Sequence, residues 1–405
     1  MAGPQKGPLT GLRVLDLSHV MAGPTCGRML ADMGADVVKV EKIDGGDDTR
    51  HFFPPDIAGH SAAFMMMNRN KRAIAVNLKT EEGRAVLRRL ASGADILIEN
   101  YRKQTMDRLG LGYEVLKADN PGLIYCAISG FGRTGPYADR GGFDLIAQGM
   151  GGLMAITGEG PGRPPVKVGA PVSDITAGII AAMGVLAAYV HRVKTGEGQL
   201  VDTSLFEAAI SLTYWQSAIC LASGVSPGPM GSAHPLNAPY QAFEASDGWF
   251  NLGAANPANW NRLLDVLDAR HLGEDPRFAD GKGRITNREV LAEVLAPYFR
   301  TRTVAEWLAV FEEVGLPAGP VLSIGQMHAD PQTIAREMVV EVEHPVAGPV
   351  KTIGHPVKFS ATPGGPVTGA PLLGQHTREI LAEAGYGEGE IEALLACGAV
   401  AEATG

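Results

Sequence analysis

Short apolar runs, recurring with helical stretches between them, constrain this chain most. Residues 12–18, 36–41, 73–78, 94–100 and 123–129 each read as a buried strand. Runs this short and this apolar suit strands covered on both faces. Between the first two lie a loop at 19–24 and a helical stretch at 25–33, with Gly34 as its stop. A second helix opens at Thr80 and runs to Leu90. The alternation predicts an α/β fold with a doubly wound, Rossmann-like sheet. Such sheets bind ligands outside the carboxyl ends of their strands, where the strand order reverses. The first loop lacks G-x-G-x-x-G, and Pro24 stands where a pyrophosphate needs a close glycine approach. No nicotinamide or flavin is therefore expected.

The pattern changes at the Gly/Pro/Ser-rich stretch 224–232. Beyond it come short strands at 241–245 and 249–252 and helical stretches at 260–267, 286–300 and 303–314. We read 1–225 as a large domain, 226–330 as a smaller α+β domain, and 331–405 as a return to the first. Residues 205–223 read as one helix.

Composition removes several function classes. The 405 residues are 45% hydrophobic and 20% charged, with a net charge of −9. That is ordinary for a globular protein and argues against a nucleic-acid binder with a broad basic surface. The cysteines (Cys26, Cys126, Cys220, Cys397) lie far apart and the histidines are scattered, so reduced thiols and no metal site are expected. The start lacks an apolar targeting core, so the cytoplasm is the expected location. The apolar run 175–190 is short for a membrane span and suits a buried core helix.

Two features carry chemistry. Asp174 stands between a Gly/Pro loop and that apolar run, where a helix begins. It reads either as an N-cap or as a reactive carboxylate that the same backbone N–H groups and the helix dipole keep charged. Cations also gather beside successive strands: Lys42, Lys71 with Arg72, Lys79, and Arg102 with Arg108. The cluster at 68–72 reads as a solvated turn or an anion cradle. Taken together the clusters suit a ligand with several phosphates. No G-x-S-x-G, H-E-x-x-H or C-x-x-C is present.

The chain resembles the class III coenzyme A-transferases, the formyl-CoA transferase and carnitine CoA-transferase-like family, over nearly its whole length. The resemblance is carried by residues 12–17 with Ala22-Gly-Pro24, by 34–41, by Asn70-Lys-Arg72, by 95–100, by Asp174, by Lys194-Thr-Gly-Glu-Gly-Gln199 and by 370–377. It implies an interlocked homodimer that uses acyl-CoA as substrate and needs no metal. It also implies that Asp174 is the nucleophile and forms mixed-anhydride and aspartyl-CoA thioester intermediates. CoA contacts would fall on Met21, Ala22, Lys42, Val76, Asn77, Lys79, Asn100, Tyr101, Arg102, Arg108, Arg140, Gly142 and Phe143. The glycine-run loop of formyl-CoA transferase is not found, and the pattern is nearer to members that move CoA between dicarboxylates, with succinyl-CoA as donor. His19, Arg50 and His234 are suggested for the second carboxylate, and residues 230–235 for the missing loop. The α-methylacyl-CoA racemases share this fold and use a His in a Gly-His-Asp triplet. Here the triplet is Gly142-Phe143-Asp144, and Phe cannot accept a proton. A non-catalytic acyl-CoA-binding protein, needing the cations but not Asp174, is the third reading.

Overall fold

A computed structural model describes residues 7–403. The chain divides into two compact units. The first takes 1–151, 169–212 and 331–405, and the second takes 152–168 and 213–330. The expected division at 225 therefore moves. The helix expected over 205–223 is broken at Leu212–Thr213, giving Leu205–Ser211 and Tyr214–Ser223, and the second piece belongs to the second unit. Ser211 Oγ donates to Ala208 O, and the Thr213 and Ser217 hydroxyls share a hydrogen bond. Side chains that compete with the helical backbone in this way favour a break.

The first unit is mixed α/β. Its strands are β1 (Arg13–Asp16), β2 (Asp36–Glu41), β3 (Lys71–Val76), β4 (Ile96–Glu99), β5 (Ile124–Ser129) and β6 (Leu200–Ser204). They lie in the order β3-β2-β1-β4-β5-β6, all parallel. A short strand near the carboxyl end, Val400–Ala401, adds antiparallel to β3. Their side chains are buried because helices cover the sheet: Leu15, Val38, Ile74, Leu97 and Tyr125 share one core with Val86, Leu87 and Leu381 from helices. Residues 376–377 hold the edge, with His376 N donating to Ala73 O at 2.9 Å.

Helix α1 (Ala22–Asp32) begins earlier than its sequence suggests. Pro24 sits in its first turn, where the missing N–H costs nothing. Helix α2 is Glu81–Ser92, capped by Thr80, and α3 is Asp144–Met150. Helix α4 (Val172–Thr195) is the longest, and Gly196 ends it with φ +82. It is apolar and long enough to cross a membrane by length and composition. The buried core helix expected there is buried on one side only: Ile179, Met183, Val190 and Val193 stay exposed along one face. Helix α5 is Leu205–Ser211.

The second unit has an antiparallel sheet of Tyr240–Glu244, Trp249–Gly253 and Ala318–Pro320. Its core is aromatic: Phe243, Phe250, Phe299, Trp307 and Phe311 pack ring to ring. The buried indole N–H of Trp307 is satisfied by Phe299 O at 2.6 Å.

Candidate active site

The strand order reverses at β1, which has β2 on one side and β4 on the other. The loops leaving β1 and β4 therefore turn to opposite faces and open a crevice between them. A reciprocal pair of hydrogen bonds joins the two loops. His19 N donates to Asn100 Oδ1, and Asn100 Nδ2 donates to His19 O, both at 2.8 Å. His19 Nε2 lies 3.3 Å from Tyr101 OH. Burial, then the Lys39 charge, pulls the His19 imidazole below its ordinary value. Val20 between them has φ +66, a costly conformation for a β-branched residue. Its N–H donates to Asp47 Oδ1 at 3.1 Å, and Lys39 Nζ holds the other Asp47 oxygen at 2.8 Å.

The crevice is a cavity of about 470 Å³. Its lining includes His19, Met21, Ala22, Lys42, Asp48, Asn100, Tyr101, Arg102, Ser129, Gly142, Phe143 and Asp174. Helix α4 brings Asp174 here through a glycine one turn further on. A Cβ added at Gly178 would stand 2.5 Å from Ala22 O and 2.7 Å from Thr25 Cβ, so α4 and α1 meet with no side chain between them. Positions four apart share a helix face. Asp174 is thereby aimed at the start of α1, where Met21 offers no side-chain cap. A second bare contact works the same way. A Cβ on Gly130 would lie 2.6 Å from the Gly142 Cα, so the loop after β5 draws 142–143 to the cavity, with Phe143 75% exposed.

The cap expectation for Asp174 is corrected. Helix α4 starts at Val172 with Pro171 at the N-cap, so Asp174 lies inside the first turn. Among the described residues nothing donates a hydrogen bond to its carboxylate. The capping acid is Asp144, whose Oδ1 accepts from Ser173 N at 2.9 Å. Nor is Asp174 held as an anion. Burial, with the Asp144 charge second, pushes its carboxyl up to about 7.

The cations separate into two groups. Lys71 and Arg72 open β3 at the end away from the crevice, and they are committed to internal acids. Lys71 Nζ donates to Asp16 Oδ2 at 2.8 Å, and Arg72 bonds Asp36, Glu379 and Glu383. Arg69 beside them is buried on Asp32 at 2.6 Å. The 68–72 cluster is therefore neither a solvated turn nor an anion cradle. Its cations neutralise acids brought by β1, α1 and β2. Lys42, Lys79, Arg102 and Arg108 instead follow the carboxyl ends of β2, β3 and β4 and are exposed. Lys42 pairs with Asp48 at 2.7 Å on the surface. Arg102 joins no ion pair among the described residues and lines the cavity.

Other expected site residues lie elsewhere. Val76 is buried within β3, and Asn77 donates to Gly398 O at 3.4 Å. Val76, Asn77, Lys79, Arg108 and Arg140 are not part of this cavity's lining. Arg140 stacks over Tyr137, 4.0 Å from the ring centre. Arg50 is bound to Glu41 by two bonds of 2.8 and 2.7 Å and lies over the Phe64 ring at 3.7 Å. It lines a different cavity, with His60 and His344, so it is not placed to receive a carboxylate beside Asp174. His234 lies in the second unit, against Trp215 and Tyr240. Sequence reasoning missed Asp48, Ser129 and the capping role of Asp144. The one signal for that role was an acid opening a helix after Gly142-Phe143.

A switch-point crevice edged with cations and holding an unpaired carboxylate marks a ligand-binding enzyme of the doubly wound class. Residues 9–377 match the description "CoA-transferase family III". The chain belongs to that family and is a CoA-transferase. A "Succinate--glutarate CoA-transferase" of Agrobacterium fabrum is 40% identical to it over 94% of this chain and 96% of the relative. A "Succinyl-CoA:mesaconate CoA-transferase" of Haloarcula hispanica is 42% identical over 95% of this chain and 98% of the relative. The crystal structure of a CaiB/BaiF family protein from Brucella suis matches with a TM-score of 0.83 and 41% identity, covering 94% of this chain and 100% of that one.

Proposed function

We propose that this enzyme moves CoA from succinyl-CoA to a second dicarboxylate, with Asp174 as nucleophile. The observation that carries the reading is an unpaired, half-buried carboxylate facing the uncapped start of α1 inside a cation-edged crevice. The names of the two curated relatives support the donor and the acceptor class.

The reaction balances without an added proton or metal. An Asp174 oxygen attacks the succinyl thioester carbonyl, the C–S bond breaks, and CoA thiolate leaves a mixed anhydride. The thiolate attacks the Asp174 carbonyl carbon, succinate departs, and an aspartyl-CoA thioester remains. The acceptor carboxylate attacks that thioester and releases thiolate again. The thiolate then attacks the acceptor's acyl carbon, giving the new thioester and the free Asp174 carboxylate. Each tetrahedral state carries an oxyanion, for which the amide N–H groups at the start of α1 are suited donors. Lys42 and Arg102 would meet the phosphates of CoA, with Lys79, Arg108 and Arg140 further along the same edge of the sheet. The exposed apolar face of α4 fits burial against a second copy in a homodimer.

Asp174→Ala tests the reading. Transfer from succinyl-CoA to glutarate should fall by more than about a thousandfold, the loss expected for a covalent nucleophile. CoA binding by calorimetry should persist. A variant that still transfers would sink the assignment. Sedimentation of the native enzyme as a monomer would remove the dimer.

A further inference from the structure

The carboxylate that secures the first turn of α4 comes from another helix. Asp144 Oδ1 accepts from Ser173 N at 2.9 Å and reaches Asp174 N at 3.4 Å, while Oδ2 accepts from Gln148 Nε2 at 2.7 Å. Gln148 is fully buried and stands one turn along α3, so Asp144 is fixed from its own helix as well. The N–H groups that could have steadied Asp174 as an anion are thus occupied by a different acid.

We propose that Asp144 is a positioning residue that keeps Asp174 reactive. It caps α4 in place of Asp174 and sets a like charge beside it. The proposal rests on Asp174 being the nucleophile. Two effects follow from one side chain. The turn keeps its register, because its donors are satisfied. The Asp174 carboxylate, denied those donors, stays more basic and so more nucleophilic. Acylation removes the charge on Asp174, so forming the anhydride or the thioester also relieves its repulsion with Asp144.

Charges on the neighbouring elements do not duplicate this role. Helix α1 offers Arg28 and Asp32, and Asp32 is paired with Arg69. Strand β5 offers Tyr125, bonded to Glu99, and the buried thiol of Cys126, with the Cys26 thiol opposite on α1. Strand β6 offers Asp202, which accepts from Arg133 N, and α5 offers Glu207, bonded to Ser204. Across the cavity stand His19, Lys42, Asp48, Tyr101 and Arg102. The Asp144 carboxylate is the charge that raises Asp174, second to burial.

Asp144→Asn is the test. Its amide oxygen still accepts from Ser173 N, and the charge is gone. The acid limb of kcat/KM against pH should move down by about one unit, and the plateau at pH about 8.5 should fall several-fold, while CoA affinity holds and the thermal midpoint drops only as far as the lost bond from Gln148 Nε2 requires. Asp144→Ser, uncharged and too short to reach Ser173 N, should shift the limb in the same way and serves if the Asn variant does not fold. Asp144→Ala should shift the limb and lower the thermal midpoint. An unmoved acid limb in the folded Asn or Ser variant would reduce Asp144 to a structural cap and overturn the proposal. Activity surviving in Asp174→Ala would instead defeat the nucleophile reading, so the two failures are distinguishable.

Discussion

Asp16 and Asp174 are two acids of one unit, the first fully buried and the second half-buried, and the chain treats them differently. Asp16 ends β1, fully buried, with Lys71 Nζ 2.8 Å from one oxygen and Ser18 N donating to the other at 3.1 Å. Burial alone would push it up, but the charges of Lys71 and Lys39 more than reverse that and hold it below the ordinary carboxylate value. Asp174 is less deeply buried, but it has no cation in reach and a second acid beside it, and it rises to about 7. The difference separates structure from chemistry. Where an acid builds the fold, a cation was placed against it. Where an acid is proposed to react, no cation stands against it.

Four single substitutions would break or sharpen that contrast. Lys71→Met should do most damage, because it leaves Asp16 buried and unpaired. A loss of about 3–5 kcal/mol is expected for a broken buried pair, read from urea unfolding midpoints. Pairing it with Asp16→Asn should recover a good part of that loss, and no recovery would mean the pair is not the unit described.

Asp174→Asn should act in the opposite sense and stabilise the protein. Its carboxyl is raised from 3.8 to about 7 on folding, so the folded state binds the proton more tightly than the unfolded chain does. The stability so gained is full below the unfolded value and is lost as pH rises through about 7. At pH about 8.5 the neutral variant escapes that loss. The gain should be on the order of 2 kcal/mol after allowance for partial solvent screening. Thermal midpoints that differ at pH about 8.5 and converge near pH about 4 would bear this out; a less stable variant at high pH would refute it.

The smallest effect belongs to the arginines Arg102 and Arg72. Arg102→Ala should raise KM for succinyl-CoA about tenfold with kcat within about twofold, since a phosphate contact contributes to ground and transition states alike. Arg72→Ala, which breaks bonds to Asp36, Glu379 and Glu383, should leave KM unchanged. Equal KM effects from both would erase the division between structural and binding cations.

Much of this was legible in the sequence. The strands showed themselves as short apolar runs, and their loops marked the carboxyl ends where the cavity lies. Asp174 stood out because a charge-free run, 175–190, follows it. What failed was partnership. Nothing local in Asn68–Arg72 announces that Asp16, Asp32 and Asp36 converge on it, since those acids arrive from three other elements. The cap of α4 was missed for the same reason: Asp144 lies far back along the chain, and only the packing of α3 against α4 brings it to Ser173. Boundaries slipped where one residue tipped the balance, as with Pro24 in the first turn of α1 and the break before Tyr214.

The reciprocal bonds between His19 and Asn100 carry a consequence for traffic through the crevice. Each residue offers the other both a donor and an acceptor, so neither can swing away without stranding two polar groups. The loops that follow the first and fourth strands are thereby latched to one another. Phe143, which lines the same cavity, stands exposed, and the chain beside it is held by the close backbone contact of Gly130 with Gly142 rather than by any bond of its own side chain.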